Sequence, residues 1–492
     1  MSWVPDLVSC ASRRFPDKVA VDVDGDTLTF AELSDRASLL AGWLRASGVG
    51  PGRRVALLAK NDREYLEIRV GSQRAGTILV PLNYRLSPAE LQMTIEDAEV
   101  DVLLVGREME GPAGSLEAPR RLHLGDGSYA QALAGAEPVP VPAGYAPEVI
   151  NQLCYTSGTT GRPKGVMLSN GAVHSSTVAM GHEIGANPDA VFLACTPMFH
   201  VGSQVGSSCT FLGATQVQMD RFDVSGFLAA LERTKPTHTQ IVPTMLQLLM
   251  DAWGDRPPPS LQCILYGAAP MPPALLARLT EAWNCDFVNG YGSTEAMGIS
   301  FLTPHEHRQV ERLSVGRSST VVSSRVTDDT GREIPANEVG EVRARGATLM
   351  SGYWRRPQET DEAIADGWLR TGDLGYRDGD GFLHLVDRRN DKIISGGENV
   401  FPSEVEDAIA VHPDVAEAAV IGVPDLKWGE AVVASVVLRG EAIVDEQGLK
   451  AHCREMLAPY KVPKVIRISG DPLPRTTTGK LLRREVRAAW SS

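Results

Sequence analysis

The run Thr156-Ser157-Gly158-Thr159-Thr160-Gly161-Arg162-Pro163-Lys164-Gly165 is unlike any other stretch of the chain. Its four hydroxyl side chains and three glycines let backbone N–H groups and hydroxyls wrap an anion, and Lys164 adds a full positive charge. That is the chemistry of a phosphate cradle. The GxxxxGK[ST] spacing of a Walker A loop cannot be matched to it. A second run, Asn289-Gly290-Tyr291-Gly292-Ser293-Thr294-Glu295, offers a tyrosine face suited to stacking on adenine, a hydroxyl for a phosphate oxygen and a carboxylate, which is a hard ligand for Mg²⁺. Taken alone, this run reads as a turn before a helix.

The first run resembles the signature loop of the acyl-adenylate-forming superfamily, which holds acyl-CoA synthetases, peptide-synthetase adenylation domains and firefly-type luciferases. Further superfamily motifs follow in the family's order, so the resemblance spans essentially the whole chain. It implies ATP or AMP contacts at Thr156, Ser157, Gly158, Thr159, Thr160, Gly161 and Lys164. It also implies adenine stacking on Tyr291 between Gly290 and Gly292, a phosphate contact at Thr294 and Mg²⁺ at Glu295. Gly267-Ala268-Ala269-Pro270 matches the small-residue segment lining the adenine and acyl pockets, where side chains would block ligand approach. Thr371-Gly372-Asp373 resembles the motif whose aspartate binds the ribose, and Arg388 falls on the arginine that also reaches it. Pro474 to Lys480 matches the C-terminal PxxxxGK element. A carboxylate attacking a phosphate brings two anions together, and the implied role of Lys480 is to stabilise the charge that develops.

The resemblance also places a gate at the acyl pocket in Pro197-Met198-Phe199-His200, while a packed core histidine remains an open reading of His200. Val201, Gly267, Gly292, Met297 and Ile299 complete the implied pocket. Gly292 stands where acetate-type members carry a bulky aromatic, which implies a deeper pocket for a medium or long fatty acid or an aromatic acid. Gly396, Gly397 and Glu398, with Trp428, resemble elements along a pantetheine tunnel, which implies free CoA as the acceptor. The family's hinge residue is usually Lys or Asp, and this chain departs from it with Asn390, a residue that tolerates unusual backbone angles. The implied reaction is acid plus ATP·Mg²⁺ to acyl-AMP and pyrophosphate, then thiol attack to give acyl-CoA and AMP. The alternatives are an enzyme loading a carrier-protein thiol, a luciferase-like oxygenase, and a nucleotide-binding protein without chemistry.

The elements that must position these residues alternate between strand and helix. Residues 19–23, 54–59 and 78–83 read as strands. Thr29-x-x-Glu32 opens a helix carrying Leu33, Ala37, Leu40 and Leu44 at helical spacing, with Gly48 at its stop, and a further helical stretch covers 62–75. Repeated βα units imply an α/β fold with mostly parallel, layered sheets. The Pro/Ala/Gly-rich stretch 111–147 reads as a surface connection before a strand at 149–155. After about residue 385 the pattern changes to short strands (415–423, 430–438, 465–469) with helices at 444–457 and 479–489. The expected organisation is a large domain, 1–387, and a small mobile α+β domain, 388–492.

A chain of 492 residues with 43% hydrophobic content can bury a sizeable core. The net charge of −13, without a long basic block, argues against a nucleic-acid surface. The seven cysteines are scattered without a CxxC or zinc spacing, which reads as free thiols in a reducing cytoplasm. No signal-peptide layout or membrane-length apolar run is visible. The expected partners are a carboxylic acid, ATP and CoA, with oligomeric state left open.

Overall fold

A computed structural model describes residues 3–491 apart from 157–162, 255, 257, 270, 308–313, 389–390, 392, 396–397, 426–427, 441, 458 and 476–480. Contacts divide the chain into two units, one of residues 1–324 and 344–370, the other of 325–343 and 371–492.

In the first unit, a seven-stranded sheet runs in the order Gly352–Tyr353, Lys164–Ser169, Ile150–Thr156, Ile78–Pro81, Arg54–Leu58, Val102–Val105, Arg121–His123. The five strands from Ile150–Thr156 onward are parallel. Alternate residues of one strand enter different cores. Val55 and Leu57 pack with Leu33, Leu40 and Leu44, whereas Ala56 and Leu58 pack with Leu91 and Ile95. Burial on both faces is why these strands read as continuous apolar runs. The capping box forms as expected: the Glu32 amide donates to Thr29 Oγ1 at 3.2 Å, and the Thr29 amide donates to Glu32 Oε2 at 2.8 Å. The helix it opens spans Phe30–Ala46, and Gly48 follows at φ +78°.

A nine-stranded sheet carries the second sequence run. Its centre is parallel, with Val191–Ala194, His238–Ile241, Cys263–Gly267 and Asp286–Tyr291 side by side. Ser300–Leu302 then adds antiparallel to Asp286–Tyr291.

In the second unit, the hairpin Val415–Asp425 and Gly429–Leu438 takes Val465–Ser469 as a parallel neighbour. The helices Pro402–Ala410, Glu446–Met456 and Arg483–Ser491 accompany it. The last helix begins at Arg483 rather than at 479.

The stretch 111–147 is more than a surface connection. It supplies the edge strand Arg121–His123 and the helix Ser128–Ala134, and it buries Leu122, Tyr129 and Leu133. Tyr129 O–H donates to Glu67 Oε1 at 2.7 Å. Its proline and glycine content masked three apolar anchors spaced too irregularly to show a period. Among the described residues no helix is long and apolar enough to cross a membrane.

Candidate active site

The two ends of the Thr156–Gly165 run lie in antiparallel strands. Ile150–Thr156 returns as Lys164–Ser169, with Thr156 opposite Lys164 and Tyr155 opposite Gly165. Ser157, Gly158, Thr159, Thr160 and Gly161 lie outside the described residues. The Lys164 ammonium is 2.5 Å from a Glu359 carboxylate oxygen and 5.3 Å from the centre of the Tyr353 ring. A Cβ at Gly165 would lie 3.0 Å from the Tyr155 ring and 3.3 Å from Trp354 Cβ, so the strand passes closely between two aromatics.

Tyr353 also reaches the second run. Its O–H donates to Glu295 Oε1 at 3.1 Å, and the Met350 amide donates to the Glu295 carbonyl at 2.8 Å. Burial, followed by the Glu295 carboxylate, pushes the Tyr353 phenol up, so it stays a neutral donor. The strand Gly352–Tyr353 pairs Tyr353 with Val166, which fixes its height beside Lys164. Asp97 anchors the next residues: its carbonyl accepts from Trp354 Nε1 at 3.1 Å, and its carboxylate accepts from Arg356 Nη2 at 2.9 Å and Tyr155 O–H at 2.7 Å. Lys164 and Glu295 thus converge on one ring. Sequence reasoning missed Tyr353 and Glu359; the available signal was the Gly-Tyr-Trp run at 352–354, with its glycine at φ +136°.

The element that follows the Asn289–Glu295 run is a strand, Ser300–Leu302, rather than a helix. The Ile299 amide donates to the Tyr291 carbonyl at 2.8 Å, Tyr291 pairs with Ser300, and the run becomes a strand–loop–strand corner. The sheet edge supplies a partner for residues 300–302, and that overrides a local turn reading. Two glycines there serve the chain's own backbone. A Cβ at Gly267 would fall 2.3 Å from the Gly290 carbonyl oxygen, and one at Gly292 would fall 2.7 Å from the Gly298 amide nitrogen. The small residues are therefore required by strand and loop contact, whatever ligand approaches. Ala268 adopts φ +65°, a strained angle for a residue with a Cβ. Met297 and Ile299 are buried, Tyr291 is 9% exposed, and Thr294 and Glu295 are half-buried.

His200 stands at the N-terminal boundary of the helix Val201–Phe211, without a side-chain capping hydrogen bond, and is half-buried, its ring 4.0 Å from that of Phe199, which meets Tyr84 edge-on at 5.2 Å. Asn61 holds the preceding segment: its Oδ1 accepts from the Met198 amide at 2.9 Å, and its Nδ2 donates to the Thr196 carbonyl at 3.0 Å. Val201 is described by its backbone alone.

Within the second unit, Asp373 pairs directly with Arg388 across two antiparallel strands. The preceding Gly372 takes φ +71°, and the Asp373 amide donates to Thr371 Oγ1 at 3.1 Å. Trp428 is half-buried beneath the Lys464 ammonium, 5.1 Å from its ring centre, and its amide donates to Asp425 Oδ1 at 2.9 Å. Glu398 pairs with Ser395; like Arg388, it is described by its backbone alone. Asn390, Gly396, Gly397 and Lys480 lie outside the described residues.

Residues 9–354 match the AMP-binding enzyme family, and residues 404–480 match the AMP-binding enzyme C-terminal domain. A feruloyl-CoA synthase of Amycolatopsis is 39% identical over 97% of this chain and 96% of its own length. A 2-succinylbenzoate–CoA ligase of Bacillus cereus is 35% identical over 99% of each chain. Among solved structures, o-succinylbenzoate CoA synthetase of Bacillus subtilis, in complex with its acyl-adenylate intermediate, superposes with a TM-score of 0.90 at 32% identity, covering 99% of each chain.

Proposed function

Because this chain belongs to the AMP-binding enzyme family, with acyl-CoA ligases as full-length relatives, we propose that the acid it activates is aromatic. It is an AMP-forming acid–thiol ligase that makes an acyl-adenylate and passes the acyl group to CoA. Both relatives carry an aromatic acid in their names, which supports an arylcarboxylate over the fatty-acid reading.

The observation that carries the residue assignment is the convergence of Lys164 and Glu295 on Tyr353. In adenylation, a carboxylate oxygen of the acid attacks the α-phosphorus of ATP and pyrophosphate leaves. The Thr156–Lys164 run and Thr294 hold phosphate oxygens, Tyr291 stacks on adenine, and Asp373 and Arg388 hold the ribose. Mg²⁺ is usually held by one or two carboxylates together with substrate phosphates. Glu295, half-buried and oriented by the Tyr353 hydroxyl, fits that role. The metal would neutralise phosphate charge there. The role of Lys480 in this reading is to stabilise the charge that develops as the two anions meet. The residues after 387 then turn about Asn390, exchanging Lys480 for the Gly396–Glu398 loop and Trp428 along the pantetheine arm. Sulfur attack on the acyl carbonyl expels AMP. His200, with Val201, Met297 and Ile299, walls the acyl pocket. The seven free thiols support a reducing compartment, and the cytoplasm is the proposed location.

A thioester screen tests the reading. Substituted cinnamates, benzoates and medium- and long-chain fatty acids are compared with ATP and CoA, scoring AMP and acyl-CoA by mass spectrometry. Aromatic acids should lead. A lead by fatty acids would reverse the acid assignment, and AMP release with acyl transfer only to a carrier protein would replace CoA as acceptor.

A further inference from the structure

Lys164 is the cation the adenylation reading assigns to phosphate, yet it already has an anion. The Glu359 carboxylate stands 2.5 Å from its ammonium, and both side chains remain open to solvent, 23% and 36% exposed. The placement of Glu359 is tied to that of Lys164 through the sheet. Tyr353 pairs with Val166, two residues beyond Lys164, and the Tyr353 amide donates to Thr360 Oγ1 at 2.9 Å. Thr360 Oγ1 in turn donates to the Arg356 carbonyl at 2.8 Å. A Cβ on Gly352 would lie 2.7 Å from Thr360 Cγ2, so the helix Pro357–Ala363 is seated closely on the Gly352–Tyr353 strand. The carboxylate is thus delivered to Lys164 by an anchored segment rather than by a loose surface side chain.

We propose that Glu359 is a resident counter-ion for Lys164, an anion that nucleotide phosphate must displace, so that it lowers affinity for ATP without taking part in the chemistry. The proposal rests on reading Lys164 as a phosphate ligand. The physical ground is charge competition. An ammonium carries one positive charge, and bringing a multiply charged phosphate to Lys164 while Glu359 stays leaves excess negative charge at short range. Because the pair is partly solvated, the penalty is modest, on the scale of a screened ion pair. Without nucleotide the same contact gives the ammonium a counter-charge beside the Tyr353 ring.

Glu359→Gln keeps size and hydrogen-bonding capacity and removes the charge. The readouts are the dissociation constant of a non-hydrolysable ATP analogue, by titration calorimetry on the full chain, and the steady-state KM for ATP and kcat. Glu359→Gln should bind the analogue about two- to fivefold more tightly, lower KM for ATP by a similar factor and change kcat by less. In a Lys164→Ala background the same substitution should give no gain. Unchanged or weaker binding in Glu359→Gln, with Lys164→Ala still weakening the analogue, would overturn the counter-ion role and leave the phosphate reading standing. A Lys164→Ala protein that melts like the parent and binds the analogue equally well would overturn the phosphate reading itself. If Glu359→Gln lowers the melting temperature, Glu359→Ala repeats the measurement at a temperature where both are folded.

Discussion

Arg74 and Lys164 both carry a full positive charge in the first unit, and the protein surrounds them on opposite terms. Arg74 has no exposed side-chain surface and makes five hydrogen bonds, to Asp6, Ser34 and Ser38. Asp6 in turn accepts from Tyr145 O–H and the Ser9 amide, each at 2.8 Å. Lys164 keeps 23% of its side chain exposed and, among the described residues, stands beside one carboxylate and one aromatic ring. A buried guanidinium with its fork of donors met ties the N-terminal helix Leu7–Arg14 to the helices Phe30–Ala46 and Tyr65–Ala75. A reachable ammonium can be given to a substrate. The saturation of Arg74 suits a charge that holds the fold, and the accessible pairing of Lys164 leaves its charge open to exchange.

The contrast is broken most severely at Arg74. Arg74→Ala leaves Asp6 buried without its cation and should cost about 3–5 kcal/mol in urea or thermal unfolding. The specific activity of the molecules that remain folded should stay near the parent's. Loss of one half-reaction without loss of stability would show that Arg74 is not merely structural. Next in size is Lys480→Ala, which should cut acyl-AMP formation by about 10²–10³-fold, the scale for one preorganised stabiliser. Thioester formation from supplied acyl-AMP and CoA should suffer far less. Equal losses in both steps would remove Lys480 from adenylation alone. Glu295→Gln should raise the Mg²⁺ needed for half-maximal rate by about ten- to hundredfold, the scale on which metal-site support acts. An unchanged Mg²⁺ titration would take Glu295 out of the metal's coordination. The smallest effect belongs to Tyr353→Phe, which keeps the ring over Lys164 and removes the hydroxyl from Glu295. Its Mg²⁺ requirement should rise about two- to tenfold, the scale of one hydrogen bond, with ATP-analogue affinity moving less. A larger change in analogue affinity than in Mg²⁺ requirement would mean that the ring, not the hydroxyl, is what matters.

Local signals were legible wherever their physics was local. The Thr29/Glu32 capping box, the helical spacing of Leu33 through Leu44 and the strand at 19–23 appear as read, because a cap and a period are completed within a few residues. The stretch 111–147 failed that test, since its strand exists only by pairing with Val102–Val105. The corner after Glu295 failed it too, because Ser300–Leu302 is a strand only through its pairing with Asp286–Tyr291 and Arg317–Ser318. At Gly292 the absence of a side chain was read as room for an acyl tail; a Cβ there would first meet the chain's own atoms at Ala296 and Gly298.

The sequence by itself determined the family and the α/β class, and it set out the candidate motif residues from Thr156 through Glu295, Asp373 and Lys480 in an order that can be read along the chain. Tertiary structure alone decided what stands beside them. Tyr353 meets Glu295 across a separation of 58 residues, and it meets Lys164 only because sheet register sets Tyr353 opposite Val166. Register is chosen by the burial of whole faces, and a shift of one residue would turn the Tyr353 ring to the other side of the sheet.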